Sequence, residues 1–372
     1  MNGSPHQRSQ VPPGVQCFLG EEARRRRRIE ERVVSVFEGW AYEEIIPPLF
    51  DYADVFAGEA LASRTYSFVA RDGSVLALRP DFTSLLAKIA AGRLRDREAP
   101  LRLYYSGEVV RYEPVKAGRQ NELYQMGLEH LGGDARSADA EVLAIAAECL
   151  ERLGVQGFVL ALGHVGVFAG LVAAAGLAEE RLATLRDRVE SKDPAGVRQV
   201  LQAAGSVPPQ VASALERLTV LGGGREALDQ AAAAFGFCPP ARRALDELRA
   251  VTDALAAAGL GRHVAVDLAE VRGLDYYTGL VFRVFAKDLG FEVGGGGRYD
   301  ALLARFGRPL PAVGFMLGLD RVALLLERQG RLAVAPRSAE AVRGTSLGEA
   351  LARAVARRGE GVRVRFGNGE PR

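Results

Sequence analysis

Histidine and cysteine, the residues behind most transition-metal sites, are scarce in this chain. Its histidines are His6, His130, His164 and His263, and none stands at HxxxH or HExxH spacing. Its cysteines, Cys17, Cys149 and Cys238, are odd in number and far apart. They fit no metal spacing and no disulfide framework, so reduced thiols, a cytoplasmic setting and no metal or other cofactor are expected. Long apolar runs are missing too. None can span a bilayer, and the opening MNGSPHQRSQVPPG has no apolar secretory core. Excess charge of either sign is also lacking: 48 Lys and Arg stand against 46 Asp and Glu, a formal +2. That balance argues against a nucleic-acid surface. No Walker A pattern is present, and GGGGRYD is not GxGxxG before a helix, which excludes P-loop and Rossmann signatures.

What is present suffices for one large core and a smaller satellite unit: 372 residues, 48% of them apolar. The organising stretch is 264–300, VAVDLAEVRGLDYYTGLVFRVFAKDLGFEVGGGGRYD. Val264, Val266 and Leu268 alternate as in a strand, GLVFRVFA reads as a second, and FEVGGGGRYD as a third that ends in glycines. Glycines there let a ligand or another backbone lie against the sheet. With Arg272, Asp275, Tyr276 and Tyr277 at one end, the pattern suggests a pocket for a small zwitterionic or phosphorylated ligand. A solvated turn pair and a glycine bulge fit this stretch alone equally well.

Residues 20–39 read as a helix with the apolar stripe Ala23, Ile29, Val33, Val36, Phe37. The run Arg24–Arg28, flanked by glutamates, is expected to be a solvated face. Asp72-Gly73 signals a hairpin turn. Its second strand delivers Arg79, Asp81 and Thr83 to the start of a helix, where Asp81 and Thr83 either cap the helix or meet a ligand ammonium or imidazole. A strand over 101–112 ends at Arg111 and Glu113, and a polar loop leads to LYQMGLEHLG. Alternation puts Leu123, Gln125, Gly127 and Glu129 on one face, a poor apolar core but a good binding floor. A buried Glu129 requires a cation or strong donors. The fork of Arg111 suits a carboxylate or phosphate.

Cys149 is expected in the core of a helix over 138–153, and His164 at a helix start. Helices are expected at 179–189, 194–204, 208–218, 224–235 and 240–257, punctuated by Pro and Gly. Arg321 begins a long apolar helix. Strand RLAVAP, helix LGEALARAVARRG and strand GVRVRFG then form a small β-α-β fragment.

Five stretches in order, LALRPDFT, the Arg111-to-Glu129 strand-loop-strand, EVRGLDYYTG, GGGGRYDALL and PAVGFMLGLDRV, carry a resemblance to a known family. From about Pro13 to Arg328 the chain resembles the class II histidyl-tRNA synthetase catalytic core, and most closely its paralogue, the ATP phosphoribosyltransferase regulatory subunit. The resemblance implies an α+β fold, a class II aminoacyl-tRNA synthetase-like antiparallel sheet flanked by helices. The implied divisions are a flexible N-terminus over 1–13, the first part of that domain over 14–175, an inserted helical subdomain over 176–262, its remainder over 263–330, and a small β-α-β segment with tail over 331–372.

By the same resemblance Asp81 and Thr83 contact histidine. Gln125 and Glu129 receive its carboxylate and ammonium region, and Tyr276 and Tyr277 line the imidazole pocket. Arg111 holds a phosphate or the carboxylate, Arg272 matches the synthetase's catalytic arginine, and Arg321 the arginine that packs on ATP. A vestigial nucleotide site would comprise Arg111, Glu113, Arg119 and Arg321. Synthetases usually carry a glutamate where Asp81 stands, and here only the remnant-sized 331–365 occupies the place of an anticodon-binding domain. The implied function is a non-catalytic regulatory subunit that activates short-form ATP phosphoribosyltransferase and carries histidine feedback. It would work as a homodimer within a larger hetero-oligomer, with no tRNA and no membrane. The alternative is a truncated histidyl-tRNA synthetase-like amino-acid-activating enzyme.

Overall fold

Strands whose apolar residues alternate are extended here into one sheet with a core on each face. The computed structural model describes residues 11–56, 63–112, 120–205, 207–271, 276–331, 333, 335 and 337–366. The chain divides into two compact units, Met1–Leu332 and Ala333–Arg372.

The strands of the first unit are β1 (Glu43–Glu44), β2 (Phe50–Tyr52), β3 (Ser67–Val69), β4 (Val75–Leu78), β5 (Leu101–Val110) and β6 (Glu122–Leu131), followed by β7 (Phe158–His164), β8 (Gly222–Gly223), β9 (Val264–Asp267), β10 (Leu280–Ala286), β11 (Gly294–Arg298) and β12 (Ala312–Gly318). Nine of them form one sheet in the order β1-β5-β6-β12-β11-β10-β7-β9-β8, and β2-β4-β3 form a second. From β5 to β7 every pair is antiparallel; β1 with β5 and β7 with β9 are parallel.

On one face, Met126, Leu128, Leu160, Leu162 and Phe315 join the larger core. Helix Gly20–Gly39 lays Ile29, Val33, Val36 and Phe37 into it, a 3.6-residue stripe in which each side chain contributes up to about 1.5–3 kcal/mol. Helix Ala135–Leu153 adds Cys149, fully buried, and starts with Asp134 accepting from Ser137 N. The helices Glu179–Glu190, Pro194–Ala204, Pro209–Leu218, Arg225–Phe235 and Pro239–Ala257 lie within a residue of their expected bounds and share this same core. Between them Gly222–Gly223 adds the edge strand β8 to β9, which a glycine run does not announce. On the other face a smaller core holds Phe82, Leu86, Tyr105, Leu131 and Tyr299.

Two local expectations are corrected. The Arg24–Arg28 run is not a solvated face throughout. Arg26 pairs with Asp320 at 2.6 Å and stacks on Phe18, and Arg25 lies 3.6 Å from Glu327. Their partners on helix Leu319–Arg328 are distant in sequence, so the local pattern cannot reveal them. In the second unit the first strand among the described residues is β13 (Glu340–Val342), parallel to β14 (Val364–Phe366); of the expected strand RLAVAP, Arg331, Ala333 and Ala335 lie in no strand, and residues 332, 334 and 336 lie outside the described residues. Val342 is buried, as are Ala350 and Ala354 of helix Leu347–Gly359. A reciprocal box starts that helix: Glu349 N donates to Ser346 Oγ, and Thr345 N to Glu349 Oε2.

Candidate functional site

Register builds the site. Across β6 and β12, Gln125 faces Gly318, Gly127 faces Met316 and Glu129 faces Gly314. Gln125 and Glu129 are both buried, on the face predicted from alternation. Among the described residues Glu129 meets hydroxyls and no cation: its Oε1 accepts from Thr83 Oγ1 at 2.7 Å and its Oε2 from the Tyr299 hydroxyl. A methyl group on Gly314 would lie 1.7 Å from Glu129 Oε2, so this glycine exists to admit the carboxylate. Gly297 does the same for a ring, because a Cβ there would lie 2.9 Å from Tyr277. The glycine-rich strands thus admit the neighbouring backbone, as at Gly294, Gly295 and Gly296, and the protein's own side chains at Gly297 and Gly314; of the two occupants the sequence allowed, a ligand or another backbone, the second is the one seen.

Asp81 ends the turn after β4. Its Oδ1 accepts from Ser84 N at 2.7 Å, so it does cap helix Thr83–Ala91. Burial pushes its pKa up against that hydrogen bond and the charge of Arg111. Arg111 donates from Nε to Pro80 O at 2.5 Å. Burial lowers its pKa, and Asp81 beside it opposes the shift. Tyr276 stacks on Tyr299 at 5.2 Å and meets Tyr277 edge-on at 5.0 Å. The Tyr276 hydroxyl is buried without a hydrogen-bond partner among the described residues.

Asp81, Thr83, Glu129, Tyr276 and Tyr277 therefore come together, with Arg111 next to Asp81. Burial, aided by the charge of Asp81, pushes the Glu129 carboxyl up to about 8 against its two hydroxyl donors. Arg272, Asp275, Glu113 and Arg119 lie outside the described residues. Arg321 Nη1 donates to Glu292 Oε1 at 2.7 Å and to Glu292 O at 2.9 Å.

Other residues of this region escape the motif reading. Arg283 pairs with Glu270 at 2.8 Å and lies 4.0 Å from Glu292, joining the Arg321 pair into a network. Its signal was available: it is the lone charge in LVFRVFA. Tyr299 follows the glycine strand directly, but nothing local marks Tyr105 or Glu292. His164 is the helix start expected, with Nδ1 accepting from Gly166 N and Nε2 3.1 Å from Glu247.

A cavity of about 280 Å³ opens on the opposite face of β6, lined by residues including Arg26, Arg27, Glu30, Glu108, Tyr124 and Asp320. Several of its polar groups pair with each other: Arg26 with Asp320, and Arg27 and the Tyr124 hydroxyl with Glu30. The acidic, tyrosine-lined end of the sheet is the better chemical site for a cation.

Comparison with known proteins agrees with this architecture. The histidyl-tRNA synthetase family model matches residues 14–322. The ATP phosphoribosyltransferase regulatory subunit of Desulforamulus reducens is 41% identical over 86% of this chain and 79% of its own length. That of Moorella thermoacetica is 40% identical over 95% and 91%. The crystal structure of an ATP phosphoribosyltransferase regulatory subunit/histidyl-tRNA synthetase from Bacillus halodurans superposes with a TM-score of 0.84 at 30% identity, covering 96% of this chain and 92% of that one. The chain belongs to the family of ATP phosphoribosyltransferase regulatory subunits, built on the histidyl-tRNA synthetase core.

Proposed function

We propose that this chain is the non-catalytic regulatory subunit of a hetero-oligomeric ATP phosphoribosyltransferase, and that histidine is its effector. The observation that carries the effector assignment is Glu129: a buried carboxylate held only by the hydroxyls of Thr83 and Tyr299 among its described partners. A buried acid of that kind gains most from a ligand that brings a cation. Asp81 supplies a second acid, Tyr276 and Tyr277 the walls for a flat ring, and Gln125 a neutral amide beside them. Arg111 is the group for the ligand carboxylate.

The partner is a short-form catalytic subunit, which condenses ATP with phosphoribosyl pyrophosphate to phosphoribosyl-ATP and pyrophosphate. Engagement of Arg321 by Glu292 supports the regulatory reading over an amino-acid-activating one, because the guanidinium is already neutralised. On this reading 14–175 and 263–330 form one sheet-bearing domain around the helical insert 176–262, with 331–372 a small separate segment. A second copy of the chain covers the apolar outer face of β2, β3 and β4, where Phe50, Tyr52 and Phe68 are exposed.

The test is reconstitution. The chain is co-purified with a short-form phosphoribosyltransferase and product formation is measured with and without histidine. Activation that histidine reverses is expected; no activation overturns the regulatory role, and activation indifferent to histidine overturns the effector assignment. Histidine-dependent pyrophosphate–ATP exchange by the chain alone would instead favour the activating enzyme.

A further inference from the structure

We propose that the effector's cationic group enters the Glu129 end of this site in exchange for a proton held by Glu129, so that effector binding tightens as pH rises through neutrality. The inference deepens the histidine reading above and rests on it.

Its ground is an imbalance of charge. Glu129 is 2% exposed, and its two side-chain partners among the described residues, Thr83 at 2.7 Å and Tyr299, are neutral hydroxyls. The strand-to-helix junction before Thr83 brings Asp81, a second acid whose charge acts on Glu129. β5 brings Tyr105, the segment before β10 brings Tyr276 and Tyr277, and Tyr42 acts from the other face of the sheet. Among the described residues the cation whose charge acts on Asp81 is Arg111, which donates from Nε to Pro80 O, and Arg64 and Arg321 act on Arg111 in turn. Among the described residues one acid thus has a guanidinium beside it and the other meets only hydroxyls.

Hydroxyls cannot neutralise a buried carboxylate, so without a ligand the cheaper state keeps the proton. That agrees with a Glu129 pKa near 8, raised chiefly by burial. A fixed cation would abolish the exchange, and solvent would weaken it; Glu129 Oε2 packs so closely on Gly314 that a Cβ there would lie 1.7 Å away, which leaves room for neither on that side.

The step balances simply. The O–H bond of the Glu129 carboxyl breaks and its proton passes to solvent. An N–H of the ligand's ammonium takes its place as donor, and a neutral acid with a free cation becomes an ion pair with a free proton. For histidine, the α-ammonium is charged throughout the neutral range, so the proton released comes from the protein. If histidine instead carried its own imidazole proton into the site, binding would weaken with rising pH as the imidazole titrates.

The test is calorimetric titration of histidine into the full chain at pH 6, 7 and 8, at each pH in two buffers of different ionisation heat. Close to one proton released per site is expected at pH 7, where the imidazole of free histidine is mostly neutral, and affinity rises roughly tenfold between pH 6 and 7 from Glu129 alone, with any imidazole proton lost at pH 6 adding to the release there. Release should decline at higher pH. Tyr299→Phe, which removes one donor, should move that decline to higher pH, and Glu129→Gln should flatten the profile. Saturable binding with no proton exchange, or with affinity that falls as pH rises, overturns this inference and leaves the histidine reading intact. No saturable heat at any pH overturns the histidine reading, and the inference with it.

Discussion

At the scale of the residue, Glu129 and Gly314 are a matched pair: the acid can be buried only because the glycine opposite has no Cβ. Gly314→Ala forces the carboxylate or the Leu128 carbonyl, 2.6 Å from the new atom, to move. A loss of roughly 2–4 kcal/mol in urea unfolding is expected, together with loss of histidine binding. Glu129→Gln tests the charge with little change of shape. The folded pKa near 8 lies above the ordinary 4.5. The group's contribution to stability is therefore complete below the ordinary value and is lost as pH climbs through about 8. The variant should gain on the parent from pH 5 to pH 8.5, by on the order of 1–3 kcal/mol at the upper end. Melting temperatures measured across that range check it; a pH-independent difference would mean that Glu129 is ionised throughout.

At the scale of the element, the buried ion pair of Arg298 and Asp139 joins the end of β11 to the helix Ala135–Leu153. Arg298 Nη2 donates to Asp139 Oδ1 at 2.7 Å and to Ala135 O at 2.7 Å, and Nη1 to Asp300 at 3.0 Å. Asp139→Ala leaves a guanidinium buried with its main acceptor gone. A cost of roughly 3–5 kcal/mol is expected, because an uncompensated buried charge is far worse than no pair at all. Denaturant midpoints with an unchanged slope would support this reading; a shift under 1 kcal/mol would show that Asp300 and Ala135 O suffice. Since Tyr299 follows Arg298 directly, the same variant is expected to loosen the hydroxyl that holds Glu129. This element links stability to the site.

At the scale of the whole molecule, the second sheet presents an apolar face. β2 and β3 pack Phe50 and Phe68 edge-to-face at 5.8 Å, while Ala77 on the reverse side is fully buried. Ile46 is 85% exposed nearby in sequence. A contiguous apolar surface of this kind is a partner's footprint more often than a solvent face. Replacing Phe50 and Phe68 together by Glu should convert a dimer to a monomer in light scattering after size exclusion, while a histidine site built within one chain should survive. A variant that stays dimeric would place the contact elsewhere. Among the described residues no helix is long and apolar enough to cross a membrane.

Period and punctuation were enough to locate nearly every helix and strand. The five helices after residue 178, the Asp72-Gly73 hairpin and the two faces of β6 follow from apolar spacing and from Pro and Gly, which act within a few residues of themselves. Residue chemistry marked Gln125 and Glu129 as a polar floor, because polar groups on a buried strand face must be answered by something, and left Asp81 and Thr83 between capping and ligand contact; the family resemblance joined the four. What answered them was decided by tertiary structure. Thr83 and Tyr299 reach Glu129 across 46 and 170 positions of sequence, and Glu292 claims Arg321 across 29. Arg26 finds Asp320 across 294. Short-range pattern sets which way a side chain faces, but its partner, and with it its charge state, is set by whichever distant segment the sheet order brings alongside.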